Sequence, residues 1–193
     1  MKSLGEEFSP VPNNFLVTGR PGSGKSTVIE RTVRILTESG LSVGGLICPE
    51  IRDRSGARTG FLMRDIRTGE ERVLASVGLA AGPSVGKYRV AVENVDFMAD
   101  FSILRALREA DVVVVDEIAP MEVFSRRFVG AVRLALDSPK PFLAAIHMKT
   151  SSGFIGGVKR RPDVRTWVVD ADNREKLPRE IASEILRVTG KWR

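Results

Sequence analysis

Residues 19–26 read Gly-Arg-Pro-Gly-Ser-Gly-Lys-Ser, a complete G-x-x-x-x-G-K-[ST] pattern. Each fixed position in it has a chemical job. Gly19, Gly22 and Gly24 let the backbone turn tightly and approach an anion without side-chain obstruction. The N–H groups of the loop, and of the helix it opens, point at phosphate oxygens. Lys25 reaches the β- and γ-phosphates, and the Ser26 hydroxyl is a Mg²⁺ ligand. The ligand class is nucleoside phosphates, and the predicted nucleotide-binding residues are Gly19, Arg20, Pro21, Gly22, Ser23, Gly24, Lys25, Ser26 and Thr27.

A second set of residues completes the chemistry. Four valines, Val112 to Val115, run into Asp116 and Glu117. An apolar run of this kind drives through a sheet and presents an acid at its carboxyl end. Asp116 is placed to hold Mg²⁺ through water, opposite Ser26, and Glu117 to polarise a water for in-line attack on the γ-phosphorus. Alone this pattern is weak; paired with the complete loop it is fairly strong. Four further side chains are candidates at the edge of the site, and for each a packing or surface role weighs as much. They are His147, the only histidine, at the carboxyl end of a predicted strand; Lys87 and Tyr88; and Glu122, just beyond the acidic pair. Arg126, Arg127, Arg160 and Arg161 are candidates for transition-state charge, each with a solvated role the more ordinary reading.

The elements that must position these groups follow from periodicity. Residues 14–18 read as a strand ending at the loop, and Lys25 to Ser39 as a helix with apolar residues at helical spacing and Gly40 at its end. Residues 42–48 read as a second strand, closed by Pro49. Residues 50–91 break the rhythm. Thr59–Ile66 and Glu71–Ser76 flank a turn, Ser55-Gly56 forms an earlier turn, and Val85–Val90 reads as one short extended piece; the region is an antiparallel insertion. The rhythm then resumes with a helix from Glu93 to Arg108, a strand over 111–117, a helix from Val123 to Leu136, a strand over 141–147, a short helix over 152–159, a strand over 165–169 and a closing helix from Arg179 to Thr189. The predicted fold is α/β, a three-layer P-loop NTPase fold with a mostly parallel central sheet and an antiparallel hairpin insertion at about 50–91.

With 193 residues the chain is expected to form one domain, 14–193, preceded by an arm over 1–13 that carries Pro10 and Pro12. Apolar residues make up 42%, an ordinary globular share. The single cysteine, Cys48, has no internal disulfide partner, the N-terminus has no signal-peptide pattern, and no apolar stretch approaches bilayer length. A cytoplasmic protein without membrane association is expected. The net charge of +6 leaves nucleic acid open as a partner. The cations are scattered, though, and aromatic residues are only 6%, so nothing supports a nucleic-acid groove. No obligate protein partner is readable.

Several segments carry a family resemblance over nearly the whole chain from Phe15. They are Gly19–Ser26, Cys48-Pro49-Glu50-Ile51-Arg52, Thr59-Gly60-Phe61, Val85-Gly86-Lys87-Tyr88, Asp116-Glu117-Ile118-Ala119-Pro120-Met121-Glu122, and Lys140-Pro141 before the strand that ends in His147. With these the chain resembles the small stand-alone P-loop nucleoside-triphosphatases, the thermophile and cancer-related nucleoside-triphosphatase family. The resemblance implies Mg²⁺-dependent hydrolysis of ATP, GTP and other NTPs to NDP and phosphate with broad base tolerance. Two departures stand out: Ala119 occupies a position the family usually gives to glycine, and Met148-Lys149-Thr150 follows His147 where arginines are usual.

Two other functions suit parts of the same sequence. A small-molecule or nucleotide kinase shares this loop, and region 50–91 can bind an acceptor, but no arginine-rich lid is evident. A nucleotide-gated RNA- or protein-binding module suits the basic balance, although a guanine-reading Asn-Lys-x-Asp motif is absent.

Overall fold

Strand alternation divides the apolar residues into two sets, and the chain folds so that both are covered. The computed structural model describes residues 12–191, so residues 1–11 of the expected arm lie outside the described residues. Five strands form the parallel part of the sheet: β1 (Asn14–Thr18), β2 (Val43–Ile47), β8 (Val112–Ile118), β9 (Phe142–Ile146) and β10 (Val164–Val168). Their order is β10-β1-β9-β8-β2. Phe15, Val17, Val112, Val114, Leu143 and Ala145 face α1 (Lys25–Glu38) and α6 (Leu177–Val188). Leu16, Val113, Val115, Ala144 and Ile146 face the opposite layer. That layer holds a long helix over residues 92–109, α4 (Arg126–Leu136) and α5 (Gly153–Lys159). Both faces are thus buried, which is why the strands read as nearly continuous apolar runs.

Region 50–91 extends the main sheet. β4 (Arg58–Asp65) pairs antiparallel with β2, and β3 (Glu50–Arg52) and β5 (Glu71–Ser76) both pair with β4. The Val85–Val90 piece, expected to be one extended segment, is a hairpin of β6 (Ser84–Val85) and β7 (Tyr88–Val90), because Gly86 takes φ +57° and turns the chain. β7 pairs with β5, so the sheet reaches ten strands.

Two helices differ from expectation. The segment predicted as a helix from Glu93 to Arg108 is α2 (Val92–Met98), a π-helical turn over Ala99–Leu104 and α3 (Arg105–Glu109), without interruption. The helix expected from Val123 begins at Arg126. Ser125 stands in the extended region at its N-cap and accepts a hydrogen bond from the Phe128 N–H at 2.9 Å, leaving Glu122–Phe124 as a separate 3₁₀ turn. Among the described residues no helix is long and apolar enough to cross a membrane.

Candidate active site

The phosphate loop is clamped between its neighbouring strands. At the end of β1 the Thr18 hydroxyl donates to the Ile146 carbonyl of β9 at 2.9 Å, and the Val169 N–H beyond β10 donates to the Thr18 carbonyl at 2.7 Å. Gly19 then passes so close to its surroundings that a Cβ there would lie 2.6 Å from Ser23 Oγ and 2.7 Å from the Val169 carbonyl oxygen. Gly24 is the N-cap of α1 with φ +102°, a left-handed conformation suited to glycine. No side chain caps this helix start and its first turn holds no acid, so its N–H groups are available to an anion from outside the chain. Lys25 folds back over the loop, its Nζ 3.5 Å from the Gly19 carbonyl oxygen.

The acidic pair sits where β8 changes phase. Val115 pairs with Ala144 and Ile118 with Ile146, so Asp116 and Glu117 together oppose the single residue Ala145 as a β-bulge. Their peptide bond is cis. Asp116 keeps the alternation of Val112 and Val114 and points to the α1 side; Ile118 falls back into the cluster of Val113 and Val115. Asp116 is buried and lies beside the Ser26 side chain. Burial drives its pKa up to about 7, with Glu117 and Glu30 adding repulsion and the polar Ser26 side chain and Lys25 opposing the rise. Glu117, one residue on, is half-buried.

Glu122 is 3% exposed, and its Oε2 is buried without a hydrogen-bond partner. Burial pushes its pKa up to about 8, helped by Glu117 and Asp116 and resisted by the nearby backbone of Glu122 and Ala119. Burial also pushes the Cys48 thiol up, with Glu122, Asp116 and Glu117 all adding to the rise. Cys48, Asp116, Glu117 and Glu122 therefore lie near enough to feel one another's charge at the carboxyl ends of β2 and β8. Among the described residues no alanine or other non-glycine residue has positive φ, so Ala119 fits its turn without the freedom of glycine.

His147 joins the same edge. Its N–H donates to the Ile118 carbonyl at 3.1 Å, and its Nδ1 lies 2.7 Å from the Thr150 hydroxyl. The structure thus brings Ser26, Lys25, Asp116, Glu117, Glu122 and His147 to one end of the sheet.

Lys87 and Tyr88 stand elsewhere. β7 is six strand spacings from β1, about 29 Å along the sheet. Tyr88 is buried against Phe61, with ring centroids 5.3 Å apart, and its hydroxyl accepts from Arg58 Nε at 3.1 Å. Arg58 in turn holds Glu50 at 2.7 Å, and Lys87 Nζ lies 5.4 Å from the Tyr88 ring centre. Three of the four arginine candidates, Arg127, Arg160 and Arg161, also have structural partners. Arg161 bridges Asp163 and Asp137 beside Asn14, at the amino ends of the strands and away from the loop. Arg127 pairs with Asp100 at 2.6 Å, and Arg160 donates to the Ser151 carbonyl at 2.9 Å.

Ser26 and Asp116 offer a hydroxyl and a carboxylate, hard oxygen donors of the kind Mg²⁺ takes. A buried carboxylate whose charge is opposed by its surroundings fits a divalent cation. No group of three or more His, Cys, Asp or Glu side chains forms a metal cage among the described residues.

A parallel sheet between two helical layers, with the glycine loop at the end of one strand and the acidic pair at the end of another, defines a P-loop NTPase fold. Comparison with known proteins agrees. A family model described as "NTPase" matches residues 14–182. The nucleoside-triphosphatase THEP1 of Thermofilum pendens is 50% identical over 173 residues, covering 89% of this chain and 94% of the relative. That of Methanopyrus kandleri is 42% identical, covering 91% and 97%. The crystal structure of THEP1 from Aquifex aeolicus superimposes with a TM-score of 0.78 at 28% identity, covering 87% of this chain and 96% of that one. The chain belongs to this NTPase family.

Proposed function

We propose that the protein is a Mg²⁺-dependent nucleoside-triphosphatase of the cytoplasm that hydrolyses ATP, GTP and other NTPs to NDP and phosphate. The observation that carries this reading is the placement of buried Asp116 beside Ser26 at the uncapped start of α1, with Glu117 next in line. The names of the relatives support the same reaction class.

The roles follow from placement. The loop residues Gly19 to Thr27 bind the phosphates, through backbone N–H groups at every position but Pro21, and Lys25 swings from the Gly19 carbonyl to the β/γ oxygens. Ser26 and Asp116 hold Mg²⁺, which when bound neutralises charge on the β- and γ-phosphates. Glu117 accepts a proton from a water at its carboxylate as the water oxygen bonds to the γ-phosphorus. The bond between that phosphorus and the β–γ bridging oxygen breaks, and its electron pair leaves with NDP. His147 faces the γ-phosphate end, and Glu122 orders the turn behind Glu117.

The test is phosphate release across ATP, GTP, CTP and UTP, with and without Mg²⁺, for wild type and Glu117→Gln. Wild type should turn over several NTPs only with Mg²⁺. Glu117→Gln should keep nucleotide binding and lose about 10²- to 10⁴-fold in turnover. Release by the variant near the wild-type rate sinks the assignment of Glu117.

A further inference from the structure

The sheet order decides which way a nucleotide lies, and this points to a contact with no counterpart in the motifs. The acids lie at the end of β8, on one flank of β1. β10 lies on the other flank. A triphosphate over the start of α1 with its γ end at Glu117 must carry its nucleoside towards the segment that follows β10. That segment, residues 169–176, packs on the loop itself, since the Val169 carbonyl abuts Gly19.

Of its two cations, Arg174 and Lys176, the first lies over the loop. The stem of Arg174 covers Gly24: a Cβ on Gly24 would be 3.5 Å from Arg174 Cδ and 4.0 Å from its Cβ. The backbone beneath is held firmly. The Arg174 N–H donates to the Asp170 carbonyl at 3.2 Å, Asp170 Oδ1 accepts from the N–H groups of Asp172 and Asn173, and Asn173 Nδ2 donates to the Val168 carbonyl at 2.8 Å. The guanidinium itself is lightly engaged. The side chain is 50% exposed, and Nε is 3.9 Å from Glu175 Oε1, while the other oxygen of Glu175 takes a 2.5 Å bond from Arg31.

We propose that Arg174 is the nucleoside-side contact of this site, its guanidinium lying flat against the nucleobase. The inference rests on the hydrolase reading for the direction of the triphosphate. A planar cation stacks on any aromatic face and reads no hydrogen-bonding edge, so it binds purines and pyrimidines alike. It supplies affinity on the nucleoside side without discrimination between bases, a contact that the phosphate loop, which touches only phosphates, does not make.

The test compares wild type with Arg174→Ala and Arg174→Gln, the latter keeping part of the stem over Gly24. KM should rise about three- to thirty-fold for ATP, GTP and UTP alike, the range a cation–π contact commands. Turnover at saturation should stay within about twofold, because the contact is equal in ground and transition states. Tripolyphosphate, which has no base or ribose, should inhibit wild type and variants equally. Unchanged KM in both variants overturns the proposal, and so does a parallel loss of tripolyphosphate inhibition, which would make Arg174 a phosphate ligand. Calorimetric binding of a non-hydrolysable ATP analogue to the same proteins separates the two readings. If wild type releases no phosphate from any NTP, the hydrolase reading fails, while equal analogue affinity in wild type and both variants removes Arg174 on its own.

Discussion

Ser26, in the first turn of α1, lies beside the buried Asp116 at the end of β8, although β9 lies between β8 and the strand that feeds α1. The two groups meet because Asp116 shares the α1-facing phase of Val112 and Val114 and because all three strands end at one level. Two hard oxygen donors far apart in the sequence thereby meet beside the phosphate loop.

Breaking this pair should show in the metal requirement. Asp116→Asn removes the charge that a divalent cation offsets while keeping a hydrogen-bonding side chain. The Mg²⁺ concentration giving half-maximal phosphate release should rise by about tenfold or more, the scale of one lost charged contact. A titration superimposable on that of wild type would remove Asp116 from the metal site.

The buried acids predict how stability depends on pH in the metal-free protein. Glu122 is pushed up to about 8 and Asp116 to about 7 from ordinary values of 4.5 and 3.8. Between those limits the folded state holds protons that the unfolded chain has released. The stabilisation is complete below about pH 4 and is lost as pH rises towards 8. Melting temperature should therefore fall from pH 5 to about pH 8. Glu122→Gln cannot ionise, so its decline should be shallower and it should melt above wild type at about pH 8.5. A steeper decline than wild type would contradict the assignment.

Gly19→Ala tests the clamp on the loop. Its methyl would press on Ser23 Oγ and the Val169 carbonyl at 2.6 and 2.7 Å, and only the serine can rotate away. The loop must shift from the course that aims its N–H groups. KM for ATP should rise about tenfold or more, with the helical and strand content of the circular dichroism spectrum unchanged. Normal KM would mean that the close approach is not needed for binding.

Tyr88 and Lys87 are expected to act on stability rather than turnover. Tyr88→Ala removes a buried ring from the outer sheet and should cost about 3–5 kcal/mol in urea unfolding, whereas Tyr88→Phe loses one hydrogen bond and about 1 kcal/mol. Lys87→Ala should leave KM and kcat as they are. A rise in KM for Lys87→Ala would bring this hairpin to the nucleotide.

Much of the architecture was legible because it is local. The loop, the helix after it, the valine strand and the acids that end it are each a contiguous pattern, and the periodicities placed β4, β5, β9 and β10 within a residue or two. What was missed is local in a different way. Ser125 reads as a helical residue until its hydroxyl is seen capping the Phe128 N–H. The π-helical turn over Ala99–Leu104 leaves the same apolar spacing as an ordinary helix. The tight turn at Gly86 lies inside a run whose residue types are all compatible with one strand.

The sequence by itself determined the ligand class and the chemical inventory, because phosphate binding needs only a short glycine-rich turn and the first N–H groups of the following helix. It also determined the face on which Asp116 lies, since alternation is set by the backbone. Only the tertiary structure decided that β9 separates β1 from β8, that β10 brings Arg174 over Gly24, and that Tyr88 packs six strands away from the loop. Strand order is chosen by how helices and sheet faces bury one another across the whole chain, and no local pattern records that choice.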